Sequence, residues 1–166
     1  MLGDAPATAD AVDALELHRR TVQETMRLYP PVAAIVRTVT QAVRVGPIEL
    51  VPGDHVTVAT MPMQRNPAFW PDPHAFDEAR FAPEAINTRD RFSYLPFGDG
   101  PRACIGAKFA LTEAVLILAR LTPALKFAPS EGKPPRPMLS VSLRPSDGMR
   151  LKVVRRTGRN AHESSR

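Results

Sequence analysis

The stretch FGDGPRACIG, residues 97–106, is the most informative part of the chain. It holds the only cysteine of the 166 residues, together with three glycines, one proline and one arginine. Glycine allows positive φ and the close approach of a flat ligand, and an apolar helical pattern follows directly. A thiolate is stabilised at a helix N-terminus, and the guanidinium of Arg102 suits a carboxylate or phosphate. The loop therefore predicts a thiolate ligand, Cys104, beside a planar group that carries acids.

The composition is that of an ordinary globular protein, with 43% hydrophobic and 23% charged residues. The net charge of +5 would suit nucleic acid, but the basic residues are dispersed and no aromatic residues interleave with them. We therefore expect no nucleic-acid partner, and an acidic protein partner instead. A single cysteine excludes an internal disulfide. The four histidines lack the spacing of a zinc site, and no apolar run is long enough to predict a transmembrane segment.

The pattern along the chain predicts a mixture of helices and short strands. Apolar residues at helical spacing indicate a helix over 15–28, ended by a Tyr-Pro-Pro sequence. Residues 61–96 have many prolines and aromatics and little periodicity, which predicts a packed but irregular meander. A second helix is predicted from 104 or 105 to 121, apolar nearly all round and therefore buried. Strands are predicted at 33–39, 42–45, 48–51, 55–60, 124–127, 139–144 and 149–154, with hairpin turns at VGP and PGD.

The cysteine loop resembles the haem-binding loop of the cytochrome P450 family, the haem-thiolate monooxygenases. All five signature positions are present: Phe97, Gly100, Arg102, Cys104 and Gly106. Two other roles remain open for a lone cysteine, that of a small buried apolar residue and that of a nucleophile. No histidine lies near Cys104 in the sequence to activate it.

Two charged residues of the first helix extend the resemblance. Glu24 and Arg27 resemble the family's E-x-x-R pair, and their spacing puts them on one helix face. Arg80, in FDEARF, is the candidate third member, although Glu78 and Ala79 replace the usual proline and glutamate before it. The resemblance implies a structural role for these three residues, which would hold the meander under the thiolate loop.

Two further segments resemble parts of the family that lie beside the haem. YPPVAAIVR, residues 29–37, resembles the segment that passes the haem, and MLSVSLRP, residues 138–145, resembles the last hairpin of the substrate pocket. The resemblance implies haem b as the cofactor, with Cys104 as the axial ligand of its iron. The other haem-binding candidates are Phe97, Gly98, Arg102, Gly106 and Arg37, with the two arginines at the propionates. The candidates for lining the substrate pocket are Val32, Ala33, Ala34, Ile35, Val36, Met138, Leu139, Ser140 and Val141.

The resemblance runs from about residue 3 to 154 and covers less than half of a complete family member. The predicted fold class is α+β, the C-terminal portion of the mainly helical cytochrome P450 fold. It has two main helices, a small β-sheet, an irregular meander and the cysteine-ligand loop. The predicted organisation is one incomplete domain over 1–154 and a polar tail over 155–166, expected to be disordered.

The function implied is O2-dependent oxidation of a hydrophobic small molecule. A ferredoxin- or flavoprotein-type electron donor would meet Arg102 and Lys108. The oxygen-activating helix, with its acid and threonine, has no counterpart here, so no catalytic residue is assigned and the isolated chain is expected to be inactive. Two alternatives stay open, a truncated or decayed non-catalytic product and a haem-binding sensor module. A cytoplasmic location, as in soluble bacterial members, is expected, and a membrane anchor preceding the chain stays open.

Overall fold

Two helices of more than ten residues form the frame of the fold. The structure is a computed structural model that describes residues 14–132 and 134–156. Two parts of the predicted organisation therefore lie outside the described residues: the start of the domain, 1–13, and the tail from 157 onward. Helix α1 spans Glu16–Leu28 and helix α4 spans Ala107–Leu121. Two shorter helices lie between them, α2 (Thr60–Met63) and α3 (Pro83–Thr88).

Helix α1 forms and ends where the sequence predicts. Its apolar residues recur at helical spacing, and Leu15, Val22 and Leu28 are buried. Tyr29 leaves the helical region, with φ −131° and ψ 68°, because it precedes Pro30. Helix α4 begins at Ala107 rather than at 104 or 105, since a turn around Cys104 comes first.

The strands form antiparallel pairs rather than one small sheet. Strand β1 (Ile35–Thr38) pairs with β4 (His55–Val58), and β2 (Val43–Val45) pairs with β3 (Ile48–Leu50). Strand β5 (Leu125–Pro129) pairs with β8 (Leu151–Arg155), and β6 (Pro137–Leu139) pairs with β7 (Leu143–Pro145). The hairpin turn predicted at VGP is present, with Gly46 at φ +57°.

Two strand predictions are wrong in detail. The PGD turn does not join paired strands, because β4 pairs with β1 and the hairpin of β2 and β3 is inserted between them. The strand predicted over 139–144 is interrupted, since residues 140–142 form the turn between β6 and β7. Arg155, assigned to the tail, ends strand β8. The pairings of β1 with β4 and of β5 with β8 join residues that lie far apart in the sequence, whereas the β6–β7 hairpin is local.

Two cores hold the described residues together. Helices α1 and α4 pack through Leu15, Val22, Val115 and Ala119. The meander packs around the aromatic rings of Trp70, Phe81 and Tyr94, whose centroids lie 4.8 to 6.4 Å apart. It is less irregular than predicted, because it contains α2, α3 and 3-10 turns at Glu78–Phe81 and Arg91–Ser93.

Helix α4 is less buried than its apolar sequence predicts. In the part of the chain that the structure describes, only Val115 and Ala119 of this helix are buried, whereas Phe109 and Ile117 are exposed. Among the same residues, no helix combines the length and apolar character needed to cross a membrane.

Candidate functional site

The cysteine loop is shaped by two glycines and a main-chain bond. Gly98 and Gly100 have φ values of +74° and +73°, which glycine adopts without the strain of a side chain. The N–H of Cys104 donates to the Phe97 carbonyl at 2.9 Å, which closes the loop. A 3-10 turn, Gly100–Arg102, lies inside it. The loop thus returns the chain to the start of α4 with Cys104 exposed at its end.

Strand β1 lies against this loop. A Cβ placed on Gly98 would be 3.5 Å from Cδ1 of Ile35, so the Ile35 side chain lies against the Gly98 backbone. Arg37 lies on the same strand, exposed, and donates to the carbonyl of Val36 at 2.9 Å. The structure therefore brings the segment after α1 to the cysteine loop, as the predicted site requires.

The loop side chains differ in exposure. Arg102 and Cys104 are exposed, while Phe97, Gly98 and Gly106 are half-buried. Among the described residues, Arg102 makes no side-chain hydrogen bond or ion pair, so its guanidinium is available to a ligand. An accessible thiol, an available guanidinium and a glycine-rich backbone form a donor set that fits a planar iron complex with acidic substituents.

The two segments predicted to line a substrate pocket meet each other. The N–H of Leu143 in β7 donates to the Pro31 carbonyl at 2.8 Å. Most of the predicted lining residues are exposed there: Val32, Ala34, Val36, Met138, Leu139, Ser140 and Val141. Ile35 is half-buried because it packs against Gly98.

Ala33 does not fit the prediction that it lines the pocket. Its side chain is buried, with 7% of its surface exposed. Its carbonyl accepts the Met61 N–H at 3.1 Å, and the neighbouring Val32 carbonyl accepts the Thr60 hydroxyl at 2.6 Å. The main chain at Val32 and Ala33 is therefore bonded to the first residues of helix α2.

Glu24 and Arg27 form a fully buried ion pair behind the loop. The Arg27 guanidinium donates to both Glu24 carboxylate oxygens, at 2.7 and 2.8 Å. Its three remaining N–H groups donate to the carbonyls of Gln64, Pro73 and Ala75 at 2.8 to 3.0 Å. Helix α1 is thereby bonded to three points of the meander.

Arg80 also reaches this carboxylate. Its Nε lies 3.6 Å from Glu24 Oε1, and its Nη2 donates to the Asp72 carbonyl at 3.0 Å. Glu24 Oε1 additionally accepts the Asp77 N–H at 2.9 Å. The structure therefore brings Glu24, Arg27 and Arg80 together. Glu78, which departs from the family pattern, pairs instead with Arg20 of α1 at 3.0 Å.

The aromatic core holds an arginine, Arg89, that is not among the predicted site residues. The Arg89 guanidinium lies 4.7 to 5.4 Å from the ring centroids of Trp70, Phe81 and Tyr94, and it donates to the Arg80 carbonyl. Arg27 lies 5.0 Å from the Trp70 centroid as well. The concentration of aromatics in the meander was the available signal, but it does not identify which arginine they hold.

Burial and hydrogen bonds shift three pKa values near the site. Desolvation lowers the pKa of Arg89. Burial raises the pKa of Tyr94, whose hydroxyl donates to the Gln23 carbonyl, above its ordinary value of 10.0. The N–H of Gly100 and the guanidinium of Arg91 hold the pKa of the exposed Asp99 carboxyl below its ordinary value. Asp99 therefore stays ionised within the cysteine loop at neutral pH.

A cavity of 920 Å³ lies elsewhere, at the far end of the β5–β8 pair, and includes Phe127 and Leu151 in its lining. None of the residues of the cysteine loop lines it. The chemistry of the exposed thiol, rather than this cavity, identifies the candidate site.

Comparisons with known proteins agree on one family. The family model described as Cytochrome P450 matches residues 1–153. Cyclooctatin synthase of Streptomyces melanosporofaciens is 39% identical over 145 residues, which are 86% of this chain and 31% of that protein. Cytochrome P450 4A10 of Mus musculus is 35% identical, over 91% of this chain and 30% of its own length. The chain spans about a third of the length of these curated relatives.

Solved structures show the same likeness. The cytochrome P450DA heme domain superposes with a TM-score of 0.85 at 32% identity, covering 93% of this chain and 34% of that one. The retinoic acid bound cyanobacterial CYP120A1 superposes with a TM-score of 0.84 at 28% identity, covering 92% of this chain and 35% of that one.

Proposed function

Because the chain belongs to the cytochrome P450 family, we propose that it forms the haem-thiolate part of a monooxygenase. Proteins of this family bind haem b. We assign Cys104 as the axial ligand of the haem iron. The observation that carries this assignment is an exposed thiol on a loop closed by the bond from Cys104 N–H to the Phe97 carbonyl.

The chemistry of O2 belongs to the cofactor, and a thiolate ligand favours cleavage of the O–O bond. The protein's part is to present the sulfur in a fixed position and to bind the rest of the cofactor. We assign Arg102 and Arg37 to the propionates, since both guanidinium groups are exposed near the loop or on the strand that contacts it. We assign Phe97 to covering the sulfur from one side, and Gly98 and Gly106 to letting the cofactor approach the backbone.

The buried charges have a supporting role in this proposal. Arg27 bonds α1 to the meander, and Glu24 and Arg80 complete the ion network. The meander in turn leads directly into the cysteine loop. We therefore assign Glu24, Arg27 and Arg80 to holding the loop rather than to contact with the cofactor.

The substrate and the electron donor are proposed as chemical classes. The exposed lining residues include Val32, Val36, Leu139 and Val141, which favour a hydrophobic small molecule. Arg102 and Lys108 are exposed on or next to the loop, which favours an acidic donor of the ferredoxin or flavoprotein type. Optical titration of the haem-loaded protein with such compounds and donors tests both classes; the absence of any spectral or reduction response would contradict them.

The ligand role of Cys104 has a direct spectroscopic test. We expect the purified chain with added haem, reduced under carbon monoxide, to show the Soret band of thiolate ligation. The Cys104→Ala variant should lose this band completely, because the chain has no other cysteine. The control is Ser142→Ala, a change of similar size at an exposed position in the β6–β7 turn, which should keep it. Retention of the band in Cys104→Ala would refute the assignment.

A further inference from the structure

A buried glutamine lies between α1 and the cysteine loop. Gln64 follows α2 directly and has no exposed surface. Its carbonyl accepts one of the Arg27 bonds at 2.9 Å, so its backbone already belongs to the network behind the loop. Its side chain carries no charge and is not among the proposed cofactor contacts. A buried amide requires a hydrogen-bond partner for each of its polar atoms.

The amide of Gln64 has an unambiguous orientation. Its Nε2 donates to the carbonyls of Met26 and Arg27, at 3.0 and 3.1 Å. Its Oε1 accepts the N–H of Leu95 at 3.0 Å. Carbonyls only accept and a backbone N–H only donates, so the opposite assignment of oxygen and nitrogen would break all three bonds. One side chain therefore joins the end of α1 to residue 95.

Main-chain hydrogen bonds continue from Leu95 to the backbone N–H of Cys104. The Leu95 carbonyl accepts the Gly98 N–H at 3.3 Å, and the Phe97 carbonyl accepts the Cys104 N–H at 2.9 Å. The residues just before Leu95 are held separately, since Trp70 donates to the Ser93 carbonyl and Tyr94 donates to the Gln23 carbonyl. Gln64 is thus the side chain that holds the first residue of this path.

We propose that Gln64 is a positioning residue for Cys104, which fixes the entry of the cysteine loop relative to helix α1. The proposal rests on the assigned ligand role of Cys104. A thiolate ligand must lie at a fixed distance and angle from its iron, so a loop that shifts at its entry loses thiolate ligation. Gln64 acts through Leu95 and contacts no reacting group.

The test uses the full chain and three variants. Gln64→Met removes both polar ends with little change in size, and Gln64→Glu keeps an acceptor for Leu95 while losing the donor to α1. The control variant, Gln41→Met, also replaces glutamine by methionine, at an exposed position in the loop before β2. Amide hydrogen exchange is measured at Leu95, Gly98 and Cys104, with Val115 of the α1–α4 core as the internal reference.

We expect Gln64→Met to speed exchange at the three loop amides by about tenfold or more relative to Val115. The thiolate-type band of the reduced, carbon monoxide-bound haem complex should fall in proportion. Gln64→Glu should keep Leu95 protected, and Gln41→Met should change neither measurement. If Gln64→Met speeds amide exchange at Val115 as much as at the three loop amides, Gln64 has only a general structural role and the proposal is overturned.

The two proposals fail in different ways. A wild-type chain without the thiolate-type band overturns the ligand role of Cys104, whatever the exchange rates are. A wild-type chain with the band, and a Gln64→Met variant that keeps both the band and the protection of Leu95, overturns the role of Gln64. If Gln64→Met does not fold, Gln64→Glu decides, since loss of Leu95 protection relative to Val115 in that variant contradicts the assigned acceptor.

Discussion

Arg27 uses every N–H group of its guanidinium. Two go to the Glu24 carboxylate and three go to meander carbonyls. Both charged side chains have no exposed surface, so neither can exchange its partner for water. Arginine suits this position because its planar guanidinium group holds five N–H donors in fixed directions, which the ammonium group of lysine cannot reproduce.

At the residue scale, we predict that Arg27→Lys is strongly destabilising although the charge is kept. Lysine has three donors, so at least two buried acceptors lose their partners, at about 1–3 kcal/mol each. We expect the free energy of unfolding in urea to fall by about 2–6 kcal/mol. The matched control is Arg44→Lys. Arg44 is exposed and lies 3.9 Å from Glu49, so this variant should change the free energy of unfolding by less than about 0.5 kcal/mol. Similar losses in both variants would contradict the role assigned to Arg27.

At the element scale, helix α4 has two unlike surfaces. Val115 and Ala119 pack against Leu15 and Val22 of α1, while Phe109 and Ile117 are exposed. The helix is apolar almost throughout, so its sequence does not say which residues face α1. The small side chain of Ala119 lies in the contact, where close packing leaves little space for a larger one.

We predict that Ala119→Leu overpacks the contact between α1 and α4. The expected loss is about 1–3 kcal/mol in the free energy of unfolding, because extra methylene groups in a packed core force neighbours to shift. Ala110→Leu makes the same change at an exposed position of the same helix, where alanine and leucine have similar helix propensity. Chemical denaturation of both variants checks the prediction, and an Ala119→Leu variant as stable as Ala110→Leu would disprove it.

At the scale of the whole molecule, apolar side chains of the cysteine loop and of helix α4 are exposed among the described residues. Ile105 is fully exposed, and Phe109 and Ile117 are 73% and 51% exposed. Exposed apolar surface of this kind promotes association.

We therefore predict that the 166-residue chain self-associates when it is purified alone. Phe109→Lys should raise the monomer fraction measured by sedimentation velocity, because it places a charge on the apolar surface. Leu17→Lys makes a comparable change at an exposed position of α1 and should have a much smaller effect. A wild-type chain that sediments as a clean monomer would contradict this prediction.

The family, the fold class and the main elements could be predicted from the sequence because their signals are local. The spacing from Phe97 to Gly106 is a property of ten consecutive residues, and Tyr29 before Pro30 restricts the backbone that ends α1. The family resemblance is confirmed by the match over residues 1–153 and by the solved relatives. The roles of the individual site residues stay predictions.

The tertiary structure decided what depends on residues far apart in the chain. The pairing of β1 with β4, the burial of Ala33 and the stack of Arg89 on three aromatic rings have no local signal. Gln64 is the clearest case, since its partners lie at residues 26, 27 and 95. The sequence by itself predicts Cys104 as the residue that binds the iron, because loop chemistry is local. Which side chain holds that loop was decided only by the fold, because hydrogen bonds between distant segments exist only once the chain has packed.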